Sequence, residues 1–488
     1  MSPKFIMWFR NDLRLSDNPA LTKALELGEV MPIYIHDEEI DINRKIGGAS
    51  KWWLHHSLNA LNQSLNHHLN FYCGEPLEIL QQLCQKHNIA GILWNRRYEP
   101  VLIKKDIAIK KFFKAQNILV ESFNGALLWE PQEILKSDKT PYKVFTPYYR
   151  KGCLNHSNPR TPLPKPQNLT IFFDKNNPTT IDDLQLLPTI KWDSKMRKYW
   201  EIGETHAYQK MQNFVKNKLA NYKIGRDFPA QKNVSELSPH LHFGEISPHQ
   251  IWHYAQTNYQ EKLNEKNLDP QKNLDHFLSE LGWREFSYYL LYHFPQLPRE
   301  NFQPRFNNFQ WRYNPQFLER WQKGQTGYPI VDAGMRELWQ NGYMHNRVRM
   351  IVGSFLVKNL LIDWREGEKW FWDCLVDADL ASNCASWQWV AGSGADAAPY
   401  FRIFNPILQG EKFDGAGEYT RKFVPELKNL PDKFLFQPWE APTLVLKSAG
   451  VDLGVNYPHP IVKVDESRDL ALQAFKALPK IQEEDKLL

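Results

Sequence analysis

Short apolar runs alternate with helix-like patterns over the first quarter of the chain. Four leucines recur at helical spacing from Leu54 to Leu65, and Ser50 just before them is a candidate N-cap. Further helices are expected from Pro76 and over residues 101–113. Strands alternating with helices predict a doubly wound parallel sheet with helices on both faces. The candidate strands are FIMWF (5–9), VMPIYI (30–35), NFYC (70–73), GILW (91–94) and ILVES (118–122).

The pattern changes twice beyond this α/β region. Residues 131–188 contain nine prolines and little periodicity, which is typical of a long surface connector. From about residue 199 amphipathic helices dominate, including 276–294 and 332–341, where Asp332 is a candidate N-cap. We therefore predict an α/β domain at 1–130, a connector at 131–195 and an all-α domain at 196–475. A further helix, 347–361, should turn Val348, Ile351, Val352, Phe355 and Leu356 inward.

Composition narrows the class of protein only modestly. The 488 residues are 42% hydrophobic and 24% charged, as in ordinary globular proteins, and suffice for two or three domains. A net charge of +5 permits a basic groove for nucleic acid but does not establish one. Five cysteines without a C-x-x-C pair argue against a zinc or iron–sulfur site, so we expect no metal. With neither a signal segment nor a membrane-length apolar run, we expect a cytoplasmic protein.

The stretch GSGADA (392–397) fits the letters G-x-G-x-x-A of a dinucleotide-binding fingerprint, and Glu411 follows where a ribose-binding acid would stand. Such a fingerprint must follow a buried strand and open a helix whose N-terminus holds the pyrophosphate. Here a helix-like WQW precedes it, and Pro399 stands where the phosphate-binding helix would continue. We therefore interpret the stretch as a turn.

Polar and aromatic residues recur at helical spacing in three places of the all-α region. One such stripe is usually the core-facing side of a helix with satisfied polar groups. Three stripes that combine acids, amides, arginine and tryptophan favour the wall of a pocket. The stripes are Asp379, Asn383 and Trp387; Phe277, Glu280 and Arg284, beside Trp283; and Asn346 and Met350, flanked by Arg347 and Arg349.

Six stretches of the chain resemble the photolyase/cryptochrome family, above all the bacterial DNA photolyases that split cyclobutane pyrimidine dimers. The likeness extends from Met1 to about Pro442, and its last two motifs are the most specific. It implies a monomer with an antenna-binding α/β domain and a catalytic all-α domain. The stretches are WFRNDLRLSDNPAL (8–21), GRDFPA (225–230), ELGWREF (280–286), TGYPIVDAGMREL (326–338), MHNRVRM (344–350) and WQWVAGSGADAAPYFRIFNP (387–406).

The resemblance implies one FAD per chain, held in a U-shape by the helical domain. Because no ordinary side chain absorbs blue light, reduced FAD would supply the electron that splits the dimer and then returns. Asp377, Asp379 and Arg284 would lie beside its sugar and ring, and Asn383 would face flavin N5. The remaining cofactor-binding candidates are Tyr222, Ser235, Leu237, Ser238 and Phe277.

The resemblance also implies that UV-damaged DNA is the partner, with the dimer flipped into a pocket above the adenine of FAD. Glu280 and Asn346 would hydrogen-bond the pyrimidine edges and stabilise the radical anion, and Met350 would fill the pocket beneath them. Trp283 and Trp389 would pack on the flipped bases, on the order of 1–3 kcal/mol per stacked base. The other DNA-contact candidates are Arg226, Arg347, Arg402 and Gln409, the arginines for backbone phosphates.

Three tryptophans, Trp387, Trp364 and Trp311, match the family's electron relay from flavin to surface; without the family motifs they would be interpreted as core residues. Two residues depart from the family pattern. Phe277 stands where some relatives carry Trp, and Val234 replaces a hydroxyl residue at a phosphate-binding turn. Both substitutions leave backbone contacts to FAD available.

The antenna chromophore is less clearly indicated. The acid–amide pair by which some relatives hold folate after YE (98–99) is missing, whereas GGASKWWLHHSL (47–58) resembles a photolyase class that binds 5,10-methenyltetrahydrofolate differently. Adjacent residues point to different sides of a helix, so we expect Trp52 or Trp53 to be free to stack on the folate between the two domains. An 8-hydroxy-5-deazaflavin, or no antenna, stays open.

Two related functions compete with dimer repair. A cryptochrome-type photoreceptor would share the fold without repair, but plant-type receptors carry Asp where this chain has Asn383, and the tail after Pro442 is short. A (6-4) photolyase carries His at the position of Asn346, so its paired-histidine chemistry is absent here. Both differences favour repair of cyclobutane dimers.

Overall fold

A computed structural model describes residues 2–41, 44–260, 270–397 and 401–479. Within these ranges, five strands form one fully parallel sheet in the order β5-β2-β1-β6-β7. Each of the five apolar runs is confirmed as one of these strands. The strands are β1 Lys4–Phe9, β2 Glu29–His36, β3 Glu39–Asp41, β4 Arg44–Lys45, β5 Asn70–Cys73, β6 Ile89–Asn95 and β7 Leu119–Phe123, with β3 and β4 pairing as a separate antiparallel hairpin.

Both faces of the sheet are covered, which is why its strands are apolar runs rather than alternating patterns. Along β1, Phe5, Met7 and Phe9 pack into one core, and Ile6 and Trp8 pack into another on the opposite face. Successive side chains of a strand point to opposite faces, so one short segment supplies both cores. The flanking helices are α1 Pro19–Leu27, α2 Gly48–Ser64, α3 Pro76–His87 and α4 Pro100–Lys114.

The chain beyond the α/β region is helical, as predicted from about residue 199. Its long helices surround one large apolar core, and the inward positions predicted for 347–361 are all buried. The elements are α5 Leu154–His156, α6 Met196–Tyr199, α7 Glu204–Asn217, α8 Tyr222–Gly225, α9 Ser238–His242, α10 Pro248–Gln260, α11 Pro270–His293, α12 Pro315–Gln322, α13 Pro329–Asn341, α14 Asn346–Ser354, α15 Trp364–Cys374, α16 Leu380–Ala391, α17 Pro406–Phe413, α18 Glu418–Phe423, α19 Asp432–Leu435, α20 Thr443–Ala449 and α21 Val464–Lys476.

Both predicted N-caps are wrong. Helix α2 begins at Gly48 with Gly47 as its cap, and Ser50 lies inside the helix, where its hydroxyl donates to the carbonyl of Leu375 at 3.2 Å. Helix α13 begins at Pro329, because a proline at the first helical position needs no N–H partner. Asp332 instead accepts the N–H of Thr326 at 2.6 Å from inside the first turn.

Buried polar contacts join the α/β and helical halves. Arg14, which is fully buried, donates to the carbonyl of Gly244 at 2.9 Å and to that of Gly125 at 2.7 Å. The predicted domain boundaries at 130 and 195 stay predictions. No helix of the described ranges is both long enough and apolar enough to cross a membrane.

Candidate functional site

A cavity of about 510 Å³ opens in the helical half, walled mainly by α8, α9, α11, α14, α15 and α16. Its volume is typical of a site for a small molecule or cofactor. All three polar stripes reach this cavity, although their sequence positions span more than a hundred residues. The predicted site residues that line it are Tyr222, Arg226, Ser235, Leu237, Ser238, Phe277, Glu280, Trp283, Arg284, Asn346, Met350, Asp377, Asp379, Asn383, Trp387 and Trp389.

Asp379 organises one wall of the cavity. Its carboxylate caps α16 by accepting the N–H of Ser382 at 2.7 Å, and it also accepts the hydroxyl of Tyr288. Burial raises the pKa of the Asp379 carboxyl, but His242, Arg284 and Tyr288 together bring it well below its ordinary value. A charged carboxylate is therefore fixed in the wall of the cavity.

Asn383 lies one helical turn beyond Asp379. Its amide N–H₂ donates to the carboxylate of Glu368 at 2.8 Å and to the backbone carbonyl of Glu368 at 3.1 Å. With both hydrogens directed at α15, the polar group that Asn383 offers to the cavity is its carbonyl oxygen, a hydrogen-bond acceptor.

Asp377 is held just before α16 by two partners. The hydroxyl of Ser238 donates to its carboxylate at 2.6 Å, and Arg349 donates from one nitrogen to both carboxylate oxygens, at 2.9 and 3.1 Å. Arg349 lines the cavity, although the sequence indicates it only as a flank of the Asn346 stripe. Residues three apart lie on one side of a helix, so its spacing from Asn346 is the sequence feature that indicates a place in the lining.

Acidic and aromatic groups stand together at another part of the lining. Glu280 forms an ion pair with Arg226, which also contacts the imidazole of His276 at 2.8 Å. Trp283 stacks on Phe145 of the connector, with ring centroids 3.8 Å apart and planes 12° apart. One carboxylate, one guanidinium and a flat aromatic surface therefore meet within reach of the same ligand.

Five predicted site residues lie outside the lining of the cavity. Arg347 pairs with Asp227 at 2.5 Å, and the residues that precede these two in the chain, Asn346 and Arg226, line the cavity. Arg402 is exposed and packs over the ring of Phe404 at 5.0 Å. The others are Gln409 on α17, which is half-buried, and the tryptophans Trp311 and Trp364.

The three tryptophans of the predicted relay differ in exposure. Trp387 lines the cavity and packs edge-on against Phe371 with ring centroids 4.9 Å apart. Trp364 is fully buried, and its indole N–H donates to Asn301 at 2.9 Å, whereas Trp311 is partly exposed. Trp387 also contacts the buried Trp321 edge-on at 6.2 Å, a neighbour that the motifs did not indicate.

The expectation that Trp52 or Trp53 is free to stack on a ligand is wrong, because both are fully buried. The indole of Trp52 donates to Asp193 of the connector at 3.0 Å, and that of Trp53 donates to Glu245 at 3.1 Å. Trp53 also lies parallel to the ring of Phe243, at 6.2 Å. Segments distant in sequence therefore cover both sides of α2.

The stretch at 392–397 is a turn that ends a helix, as interpreted from the sequence. Gly392 follows α16 with φ of 89°, a left-handed conformation that suits glycine at a helix C-terminus. The N–H of Gly394 returns to the carbonyl of Gln388 at 3.0 Å. Pro399, part of the same argument, lies outside the described residues.

Comparison with known proteins identifies relatives of this chain. Residues 5–167 match the family model described as DNA photolyase, and residues 277–477 match that of the FAD binding domain of DNA photolyase. The deoxyribodipyrimidine photo-lyase of Agrobacterium fabrum is 48% identical over 480 residues, covering 97% of this chain and 98% of the relative. The chain belongs to the photolyase/cryptochrome family.

Photolyases and cryptochromes both stand among its relatives. Cryptochrome-2 of Arabidopsis thaliana is 37% identical over 500 residues, covering 99% of this chain and 80% of the relative. The crystal structure of a bacterial class III photolyase from Agrobacterium tumefaciens superposes with a TM-score of 0.92 at 48% identity, covering 98% of each chain. The family assignment explains the order of an α/β half and a helical half.

The lining fits FAD, the cofactor that the family model implies. The carboxylates of Asp377 and Asp379 can accept hydrogen bonds from ribose hydroxyl groups or from flavin ring N–H groups. The carbonyl of Asn383 adds a neutral acceptor. The apolar part of the wall suits a flat ring system. It is formed by Leu241, Ile251, Phe277, Leu281, Phe371 and Leu375.

Proposed function

We propose that this protein repairs cyclobutane pyrimidine dimers in DNA and uses FAD in the cavity as its light-activated electron donor. One observation carries the proposal: a carboxylate and an amide suited to pyrimidine edges, Glu280 and Asn346, line the same cavity as the Asp377, Asp379 and Asn383 set. A cofactor and a substrate that share one cavity can exchange an electron directly.

The cofactor side of the cavity has a division of roles. Asp377 and Asp379 bind the sugar and ring of FAD, and Asn383 presents its carbonyl to flavin N5. Arg284 lies beside them at the sugar and ring, and the Ser235–Ser238 turn, with Tyr222, holds the phosphates and the ribityl chain. When bound, reduced FAD supplies on illumination the electron that opens the cyclobutane ring.

The lesion side binds the flipped dimer by its edges and faces. Asn346 and Glu280 hydrogen-bond the pyrimidine edges, and these bonds strengthen as negative charge develops on the dimer. Trp283, already rigidly stacked on Phe145, packs on one exposed base face with Trp389 beside it. Met350 fills the floor of the pocket.

Contacts to the DNA backbone come from the rim. Arg347 and Arg402 bind phosphates flanking the lesion, with Gln409 beside them, and Arg226 links the rim to Glu280. Because phosphate contacts release counterions, affinity for damaged DNA should fall steeply as salt rises.

The antenna is 5,10-methenyltetrahydrofolate in this proposal, on the likeness of residues 47–58 to the photolyase class that binds it. Since Trp52 and Trp53 are covered by protein, the folate does not stack directly on either. An absorption spectrum of the purified protein distinguishes a folate band, a deazaflavin band and flavin bands alone.

The test is light-dependent repair. Reduced protein is mixed with oligothymidylate that carries cyclobutane dimers, and the ultraviolet absorbance of restored thymines is followed in blue light and in darkness. Repair in light alone supports the proposal. A protein that binds FAD and responds to light without restoring thymines is instead a cryptochrome-type receptor, and activity confined to (6-4) photoproducts contradicts the proposed substrate.

A further inference from the structure

The small hairpin β3–β4 of the α/β half is fixed against α15 of the helical half. The indole N–H of Trp372 donates to the backbone carbonyl of Lys45 at 2.7 Å, and the guanidinium of Arg44 lies 5.0 Å from the centre of the Trp372 ring. Just beyond the hairpin, the N–H of Gly48 donates to Asp373 at 2.9 Å. The hairpin is therefore held in one position relative to α15.

Arg44 reaches past Trp372 to a buried carboxylate. Its guanidinium lies 2.5 Å from Oε1 of Glu368, whose side chain is only 2% exposed. The same Oε1 accepts the amide N–H₂ of Asn383 at 2.8 Å. A continuous chain of charge-assisted contacts thus joins the α/β half to the wall of the cavity.

We propose that Arg44 is a positioning residue that fixes which end of the Asn383 amide faces the cavity. The proposal rests on the proposed function, in which the flavin ring lies against Asn383. An ionised carboxylate can only accept hydrogen bonds, so Glu368 binds the N–H₂ end of Asn383 and leaves the carbonyl for the cavity. Arg44 is the cation that pairs with this buried carboxylate.

Loss of Arg44 weakens this orientation of Asn383, which the backbone carbonyl of Glu368 also supports by accepting the amide N–H₂ at 3.1 Å. A buried carboxylate that has lost its cation is costly in free energy, and a carboxyl group in its neutral form can donate to an amide oxygen. A fraction of the molecules can then turn the Asn383 N–H₂ toward the cavity, at the cost of its bond to the backbone carbonyl of Glu368. Flavin N5 carries a hydrogen only when the ring is reduced, so an acceptor at Asn383 favours reduced FAD and a donor favours oxidised FAD.

The experiment measures the ratio of reduced to oxidised FAD in the loaded protein, at anaerobic equilibrium with a reference dye. Arg44→Gln should lower this ratio about tenfold relative to wild type, the size expected for one charge-assisted hydrogen bond. Arg44→Lys keeps the charge and should restore most of the ratio. Lys45→Gln is the matched control: Lys45 is the neighbour of Arg44 in β4, but its side chain is 75% exposed and pairs with Glu38 at 2.8 Å.

A double-mutant cycle tests whether Arg44 acts through Asn383. In an Asn383→Ala background, Arg44→Gln should change the ratio by less than about twofold. An undiminished effect there, or an unchanged ratio in Arg44→Gln alone, overturns the inference. So does loss of FAD or of folding in both Arg44 variants while Lys45→Gln is intact, because Arg44 would then serve only to dock the two halves.

The proposed function fails by a different result. If wild type binds no FAD or repairs no dimers, the proposed function is wrong whatever Arg44 does. If wild type binds FAD and repairs dimers while Arg44→Gln keeps the wild-type ratio, only the role of Arg44 is wrong.

Discussion

Replacement of Asp379 separates the contribution of a helix cap from that of a buried charge. The carboxylate accepts the N–H of Ser382 at 2.7 Å and the hydroxyl of Tyr288, and the residue is only 7% exposed. Asp379→Ala should cost about 1 kcal/mol for the lost cap. It should cost roughly 1–3 kcal/mol more because the Tyr288 hydroxyl is left without a partner in the wall. The sum is about 2–4 kcal/mol of unfolding free energy.

Asp379→Asn keeps an oxygen for the cap, since asparagine caps helices as well as aspartate does. It removes only the charge, and should cost roughly half as much as alanine. Because the folded pKa of Asp379 lies below its ordinary value, the contribution of the charge is present above about pH 4 and is lost as the pH falls further. The difference between wild type and Asp379→Asn should therefore shrink below that pH.

These effects on the free energy of unfolding are measured by urea unfolding of the FAD-loaded variants. The FAD content of each variant is determined in parallel. Ser382→Ala is the control, because it keeps the backbone N–H that Asp379 accepts. An Asp379→Ala variant within about 0.5 kcal/mol of wild type would show that neither the cap nor the Tyr288 contact stabilises the fold. An Asp379→Asn variant as unstable as Asp379→Ala would also contradict the prediction, because the cap and the charge would then not be separable.

Three further predictions concern electron entry, the lesion and a buried lysine. Trp387→Phe should block light-driven reduction of oxidised FAD, followed by absorbance, yet leave repair by chemically reduced protein nearly intact; normal photoreduction would remove Trp387 from the path. Glu280→Ala should lower repair yield per photon more than DNA affinity, because its bond matters most once charge reaches the dimer, and the reverse pattern would contradict its assignment. Burial lowers the pKa of Lys358 to about 7, below its ordinary value near 10.5. Below pH 7 the side chain is charged in the folded protein, and this buried charge reduces the free energy of unfolding most. Above pH 10.5 the side chain is neutral in both states, so the cost disappears. Lys358→Met should thus stabilise the protein by roughly 1–3 kcal/mol in mildly acidic urea unfolding and progressively less in alkali, and a gain independent of pH would contradict the cause.

The strands and the cavity stripes could be predicted because their signals are local. A parallel strand buried on both faces has to be apolar throughout, as FIMWF is in β1. Asp379, Asn383 and Trp387 face one cavity because residues four apart share one side of a helix. The structure brings these residues together, and their roles toward FAD stay predictions.

The misses on α2 depend on contacts between distant segments. Ser50 looks like a cap in isolation, but Gly47 packs against the backbone of Trp372, where a Cβ atom would lie 2.1 Å from the carbonyl oxygen, and the helix begins there. Trp52 and Trp53 do point to different sides of α2, yet Asp193 and Glu245 cover both. No pattern along α2 reveals those partners.

Glu368 is the clearest omission from the predicted site. It shares no stripe with Asn383 and belongs to none of the family motifs quoted, because the packing of α15 on α16 brings the two residues together. Arg44 is more remote still, 324 positions from Glu368 along the chain. Only the folded structure shows that the two halves meet at this amide.

A crystal structure of the FAD-loaded protein with a thymine-dimer dinucleotide, prepared in darkness, tests the central claim most directly. We expect the flavin ring against Asp379 and Asn383, and the dimer in the same cavity with its pyrimidine edges bonded to Glu280 and Asn346. A dimer bound outside this cavity, or an FAD bound away from Asn383, would contradict it.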